Sequence, residues 1–169
     1  MNLVLIGLRG SGKSKLGKML AKKLHLNFID IDHEIEELCE QKIPLIIGEH
    51  GWPYFRKKEK EVVEEVSKLN HNVIATGGGS IIDPENAKNL RRNSKTVYLH
   101  ISAEKATKRI KNSTNRPALT HNISKLKEMQ QLYEERHHIY EENADIIFKR
   151  TDDLEEDSEK IIDMLSNNS

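Results

Sequence analysis

Hydrophobic and polar positions along the chain fall into two alternating kinds of run. Five short stretches, 3–6, 27–29, 73–75, 96–99 and 145–148, are rich in branched and aromatic apolar residues and predict β-strands. Between them apolar residues return at helical spacing. Leu16, Met19, Leu20 and Leu24 share one face after the first strand, 125–142 predicts a long helix, and 154–165 predicts another that closes the chain. Strands alternating with helices imply an α/β domain whose parallel sheet is covered on both faces. Such sheets bind ligands at the carboxyl ends of their strands, so the residues following each strand are the ones to read for chemistry.

Two segments interrupt the alternation. Residues 32–69 form a long, mostly helical insertion broken by Pro44, Gly48, Gly51 and Pro53. Residues 111–122 are polar, contain Pro117 and lie between two helices, the character of a lid or loop.

Composition narrows the function. With 169 residues the chain fits one domain, and its 27 basic side chains balance 27 acidic ones. No global field draws it to nucleic acid or an anionic membrane, so a small anionic ligand must be met by local arginines and lysines. Aromatics at 5% do not furnish a stacking platform for single strands. Cys39 is the single cysteine, so an intramolecular disulfide is excluded and a partly buried structural thiol is expected. The chain opens directly on a strand, and no apolar run has the length of a membrane span. A soluble cytoplasmic protein is therefore expected, and the neutral, highly charged surface points to a monomer.

The first strand runs into Gly7-Leu-Arg-Gly10-Ser11-Gly12-Lys13-Ser14, the G-x-x-x-x-G-K-[ST] pattern of a P-loop. Its glycines let successive backbone N–H groups converge on phosphate oxygens. Lys13 can reach the β- and γ-phosphates of ATP, and the Ser14 hydroxyl can ligate Mg²⁺. The pattern follows a strand and opens an amphipathic helix, the context that separates a nucleotide site from a chance match. No N-K-x-D element of guanine-specific GTPases is present, and the third strand ends in Thr76-Gly-Gly-Gly79 without an acidic residue. Carboxylate help for the metal then falls to Asp30 and Asp32, after the second strand. Both also sit where a strand end and a helix cap are expected, and Asp32 can serve as cap and ligand at once.

Beyond the P-loop, Asp30-Ile-Asp32, Gly51-x-x-x-Phe55-Arg56-x-x-Glu59, Thr76-Gly77-Gly78-Gly79, Arg116-Pro117 and Arg136-x-x-x-Tyr140 follow in this order. The ordered set resembles shikimate kinase over nearly the whole chain. The resemblance implies a P-loop three-layer α/β/α sandwich with a central five-stranded parallel sheet, similar to nucleoside monophosphate kinases. It further implies one kinase domain over 1–169, with a core of 1–31, 61–110 and 123–169, a substrate-binding insertion of 32–60 and a lid of 111–122.

Residue by residue, the implied chemistry is coherent. Shikimate is a cyclic acid with three hydroxyls, so its site needs cations for the carboxylate and acceptors for the hydroxyls. Arg56 and Arg136 offer forked donors for a carboxylate, and Glu59, three residues after Arg56, can hold that guanidinium in place. The resemblance implies that Asp32 accepts from the ring hydroxyls and takes the proton of the attacking one, and that Asp30 acts on Mg²⁺. It gives Gly77, Gly78 and Gly79 the role of letting backbone approach the substrate. Arg116, in the lid, would close on the transferring phosphoryl group. Arg109 would lie against the adenine, and Gly10, Ser11, Gly12, Lys13, Ser14 and Lys15 would line the ATP phosphates. Lys13, Asp32 and Arg116 thus form the expected catalytic set, and Ser14 and Asp30 the metal set.

The chain departs from the family pattern at Ala118, where a leucine is usual, and at Trp52, where many members carry Glu. Both positions bear on packing beside the site. Among the eight histidines no H-x-x-x-H pair stands against a carboxylate, and His137-His138 read as helix surface. A kinase for another small metabolite, such as gluconate, would lack the paired Arg56 and Arg136 with the triple glycine. A non-catalytic nucleotide-binding module would be expected to lose some of Lys13, Ser14, Asp30, Asp32 and Arg116.

Overall fold

The structure, a computed structural model, describes residues 1–110 and 124–167. Five strands form one parallel sheet: β1 Asn2–Ile6, β2 Asn27–Asp30, β3 Asn72–Ala75, β4 Ser94–His100 and β5 Ile146–Lys149, in the order β2-β3-β1-β4-β5. The helices of the described residues are α1 Lys13–Leu24, α2 Ile31–Cys39, α3 Ile43–Ser67, α4 Pro84–Arg91, α5 Ala103–Ile110, α6 Lys125–Glu142 and α7 Leu154–Asn167. A 3₁₀ turn, Ser80–Ile82, precedes α4.

Pleating explains the three layers. Val4 and Ile6 of β1 join one apolar cluster with Ile31, Ile35, Val63, Leu90, Ala106 and Tyr140, so α2 to α6 cover that face. Leu3 and Leu5 join the other cluster with Leu16, Leu20 and Ile161, so α1 and α7 cover the opposite face. Strand β1 is buried at every residue, as a central parallel strand must be. The chain crosses from β3 on one side of β1 to β4 on the other, and the crevice of this switch point opens above Ile6.

The expected strands and helices are all present; their ends shift by a residue or two, and three of the differences have a clear physical reason. Strand β4 runs longer than 96–99 because it pairs with β1 through Ser94–Tyr98 and with β5 through Val97–His100. Strand β5 starts one residue later than expected, at Ile146: Asp145 still meets β4, its N–H donating to the Thr96 carbonyl at 2.8 Å while its carboxylate accepts from the Thr96 N–H at 2.7 Å. In the insertion only one of the four expected breakers bends the helix. Pro44 sits in the first turn, where its missing N–H costs nothing, and Gly48 stays helical. Gly51, at φ 83 and ψ 171, kinks α3 just before Pro53. From Trp52 the helix then continues without a break to Ser67, past residue 60.

Candidate active site

The loop leaving β1 turns back on itself, with the Ser11 N–H donating to the Leu8 carbonyl at 3.1 Å. Gly12, at φ 87, then swings the chain into α1, a conformation that a side chain would strain. Lys13 is buried, and its ammonium lies within the loop, donating to the carbonyls of Gly7 at 2.8 Å and Leu8 at 2.9 Å. The N-terminus of α1 carries no acidic residue, so its positive end stays open to an anion. Gly10, Gly12, Lys13, Ser14 and Lys15 line a cleft of about 660 Å³, while Ser11 is buried behind them.

On the second wall, Ser14 donates its hydroxyl to the Asp30 carboxylate. Asp30 ends β2 and also caps α2, its other oxygen accepting from the Asp32 N–H at 3.1 Å. Of the two capping candidates, Asp30 takes the role, because the helix begins at Ile31. Asp32 sits in the first turn and lines the same cleft. Ser14 and Asp30 place two hard oxygen donors side by side, a set that suits Mg²⁺, which takes one or two carboxylate or hydroxyl ligands together with water and phosphate. Among the described residues no cluster of three or more His, Cys, Asp or Glu could form an all-protein metal cage.

The third element is the glycine turn after β3. The Thr76 hydroxyl anchors it to the Leu5 carbonyl at 3.0 Å. Gly78 packs against the P-loop so closely that a Cβ there would lie 3.1 Å from the Arg9 backbone nitrogen. Two residues of α6 donate to the Gly78 carbonyl: Arg136 at 3.2 Å, and the Tyr140 hydroxyl. The Arg56 guanidinium fills the space beside Gly79 that a side chain would need. It is held by Glu59 at 2.7 Å, and it lies over the rings of Trp52 at 5.5 Å and Phe55 at 5.4 Å. Glu59 itself is only 1% exposed, and its second oxygen accepts from the buried Ser80 hydroxyl at 2.6 Å. Arg56, Glu59, Arg136 and Gly77–Gly79 are thereby brought together next to the phosphate cradle. Ser80 went unread in the sequence; its signal is its place directly after the glycine run.

The fourth wall comes from α5 and the turn after β5. Arg109 lines the cleft and donates to the Thr151 carbonyl at 3.1 Å and to Asp152 at 3.2 Å. That hydrogen bond, and then the charge of Lys105, hold the Asp152 carboxyl below its ordinary range. Arg150 also lines the cleft, although nothing in its local pattern marks it. It is buried, pairs with the fully buried Asp157 at 2.7 Å, and its pKa is lowered by burial even so. Its position just past a strand end is the signal that finds it. Arg116, placed in the expected lid, lies outside the described residues.

Known proteins similar to this chain in sequence belong to one family and share its fold. The family model for shikimate kinase matches residues 9–166. A shikimate kinase of Thiobacillus denitrificans is 41% identical over 145 residues, covering 86% of this chain and 79% of that protein. The solved shikimate kinase of Acinetobacter baumannii in complex with shikimate superposes with a TM-score of 0.95 at 31% identity, over 99% of this chain and 94% of that one. A deoxyadenosine kinase of M. mycoides, 17% identical with a TM-score of 0.62 over 100% of both chains, shares the fold.

Proposed function

Because this chain belongs to the shikimate kinase family, we propose that it transfers the γ-phosphoryl group of ATP to the 3-hydroxyl of shikimate. The shikimate 3-phosphate so formed feeds chorismate and aromatic amino acid synthesis. The observation that carries the reading is the junction at Gly78. There a phosphate cradle and a cluster of two arginines meet, one side suited to ATP and the other to a carboxylic acid.

In this reading Arg56 and Arg136 grip the carboxylate, and Asp32 receives the hydrogen of the attacking hydroxyl. The 3-oxygen forms a bond to the γ-phosphorus as the bond from that phosphorus to the β–γ bridging oxygen breaks, releasing ADP. Lys13 and Arg116 stabilise the charge spread over the transferring group, which is where catalysis of this kind is concentrated. Arg109 lies against the adenine. Mg²⁺, held by Ser14 and Asp30, would neutralise phosphate charge. Residues 32–60 form the substrate-binding unit and 111–122 the lid of a cytoplasmic monomer. No described helix is long and apolar enough to cross a membrane.

Coupled ADP-release assays with shikimate, gluconate and a panel of related hydroxy acids test the reading. Turnover is expected with shikimate far above the rest. Equal turnover with gluconate, or none with shikimate, would overturn it.

A further inference from the structure

Around Gly12 the structure holds a second guanidinium that the reaction as drawn does not use. A Cβ built on Gly12 would lie 2.9 Å from Arg150 Nη1 and 3.6 Å from Arg109 Nη1. Two arginines therefore converge on the hinge between the phosphate loop and α1. Arg150 is fixed from below: its Nε meets Asp157 Oδ2 at 2.7 Å, while Asp157 Oδ1 accepts from the Thr151 N–H at 3.1 Å and the Thr151 hydroxyl at 2.8 Å. Arg109 is tied to the same turn through the Thr151 carbonyl and Asp152.

Arg150 is 7% exposed, and its Nη1 is buried without a hydrogen-bond partner. Its contact with Asp157 is close but lacks hydrogen-bond alignment. A buried, incompletely satisfied ion pair is a poor stabilising device, and apolar side chains of similar volume commonly serve a fold as well or better. Two like charges beside one glycine add a further cost, which an anion in the adjoining cleft would offset. Among the remaining paired cations, Lys23, Lys60, Lys68 and Lys160 sit on solvated surface against exposed carboxylates. The Arg150 pair is by contrast deeply buried, and it lies against the cradle.

We propose that Arg150 is a nucleotide-positioning residue: anchored on Asp157, it braces Gly12 from behind and adds a fixed positive charge to the phosphate side of the cleft. The inference rests on the reading of the cleft as an ATP site. Arg109 faces the base in that reading, so the work divides by chemistry. Arg150 serves the diphosphate, and its contribution grows with the phosphate charge of the ligand.

Calorimetric titration of the full chain with ADP and with adenosine, both with Mg²⁺, tests it. Arg150→Met together with Asp157→Asn removes the charge without stranding a buried carboxylate, and Asn keeps an acceptor for Thr151. ADP affinity is expected to fall about tenfold or more and adenosine affinity less than twofold, and Arg150→Lys should restore most of the loss. Arg150→Gln, which keeps an N–H for Asp157, carries the same test should the double variant not fold. ADP affinity unchanged in a folded neutral variant overturns the inference. So does an equal loss for ADP and adenosine, which would make Arg150 a support of cleft shape alone. A wild-type chain that binds ADP but releases none from ATP with shikimate counts against the proposed function and leaves the role of Arg150 standing.

Discussion

The phosphate cradle and the arginine–glycine cluster touch at Gly78 yet are built in opposite ways. The cradle is one unbroken stretch from Gly7 to Ser14, stabilised by its own backbone and by the central strand beneath it. The cluster is gathered from three distant places: Arg56 and Glu59 in α3, the glycine turn and Ser80 after β3, and Arg136 and Tyr140 in α6. A contiguous device can be rigid at little entropic cost because neighbours in sequence hold each other. A gathered device depends on how three elements pack, and so it can respond to its ligand. The cradle should therefore fail through chemistry, and the cluster through binding and shape.

The largest expected effect tests the cradle. Lys13→Met should lower turnover by about three orders of magnitude, in line with the loss of a preorganised charge at a transferring phosphoryl group. The melting temperature should move little, since the ammonium faces loop carbonyls and the methionine chain fills the same slot. A folded variant with near-normal turnover would break the comparison at its first half.

Next come two changes that divide the roles. Arg136→Ala should raise the shikimate KM by about 10- to 100-fold with kcat within a few-fold, because it removes a grip made alike in ground and transition states. Asp32→Asn should lower kcat by about 10²-fold or more and leave KM nearly unchanged. If both changes altered only ATP affinity, the division of the site into two devices would be wrong.

Glu59→Gln sits between chemistry and packing. The carboxylate is buried between Arg56 and Ser80, so its loss leaves a guanidinium without its charged partner. Stability should drop by about 1–3 kcal/mol and the shikimate KM should rise, with the ATP KM constant. Equilibrium unfolding and steady-state kinetics on one sample read both effects. A KM change without any loss of stability would show that the cluster does not hold itself together through Glu59.

A gentler probe is the single tryptophan, whose ring lies beneath the Arg56 guanidinium. Shikimate should change Trp52 emission saturably, by tens of per cent, and the change should shrink in Arg56→Ala. A flat titration alongside calorimetric binding would show that the cluster does not move as it fills.

The smallest effect concerns pH. Burial first, and then the charge of Lys149, lowers the His100 pKa below its ordinary 6.5. The folded state thus disfavours the proton that the unfolded chain accepts. Stability is full above about pH 6.5 and declines as the pH falls below it. His100→Asn should flatten the melting temperature between about pH 5.5 and 6.5, and an unchanged slope would assign it to other groups.

Legibility in the sequence follows the same contrast. The cradle reads directly, because its residues are adjacent and their spacing is the chemistry. Arg56 and Glu59 read through their separation of three positions on a helix, and the glycine run reads through its excess over what a turn needs. Asp30 and Asp32 both read as caps, and only the structure decides between them, because a helix that starts at Ile31 leaves Asp32 inside its first turn. Gly48 stayed helical because α2 and the core fix that helix regardless of local preference. Arg150 has only its place past a strand end to mark it: in Lys149-Arg150-Thr151-Asp152 it looks like any charged surface turn, and its burial depends on Asp157 folding beneath it.

The kink at Gly51 divides α3 into two helical halves that do not share a single hydrogen-bond ladder. The later half carries Phe55, Val62, Val63 and Val66 into the main apolar cluster, whereas the earlier one reaches it through Ile43, Ile46 and Ile47. Opening one half therefore need not open the other, and each has its own free energy of local unfolding. In hydrogen–deuterium exchange the amides of 43–50 should lose protection as a block, ahead of those in 59–67. Ligand binding should slow the first block more than the second, so that the chain reports occupancy of its site as a difference in exchange across one glycine.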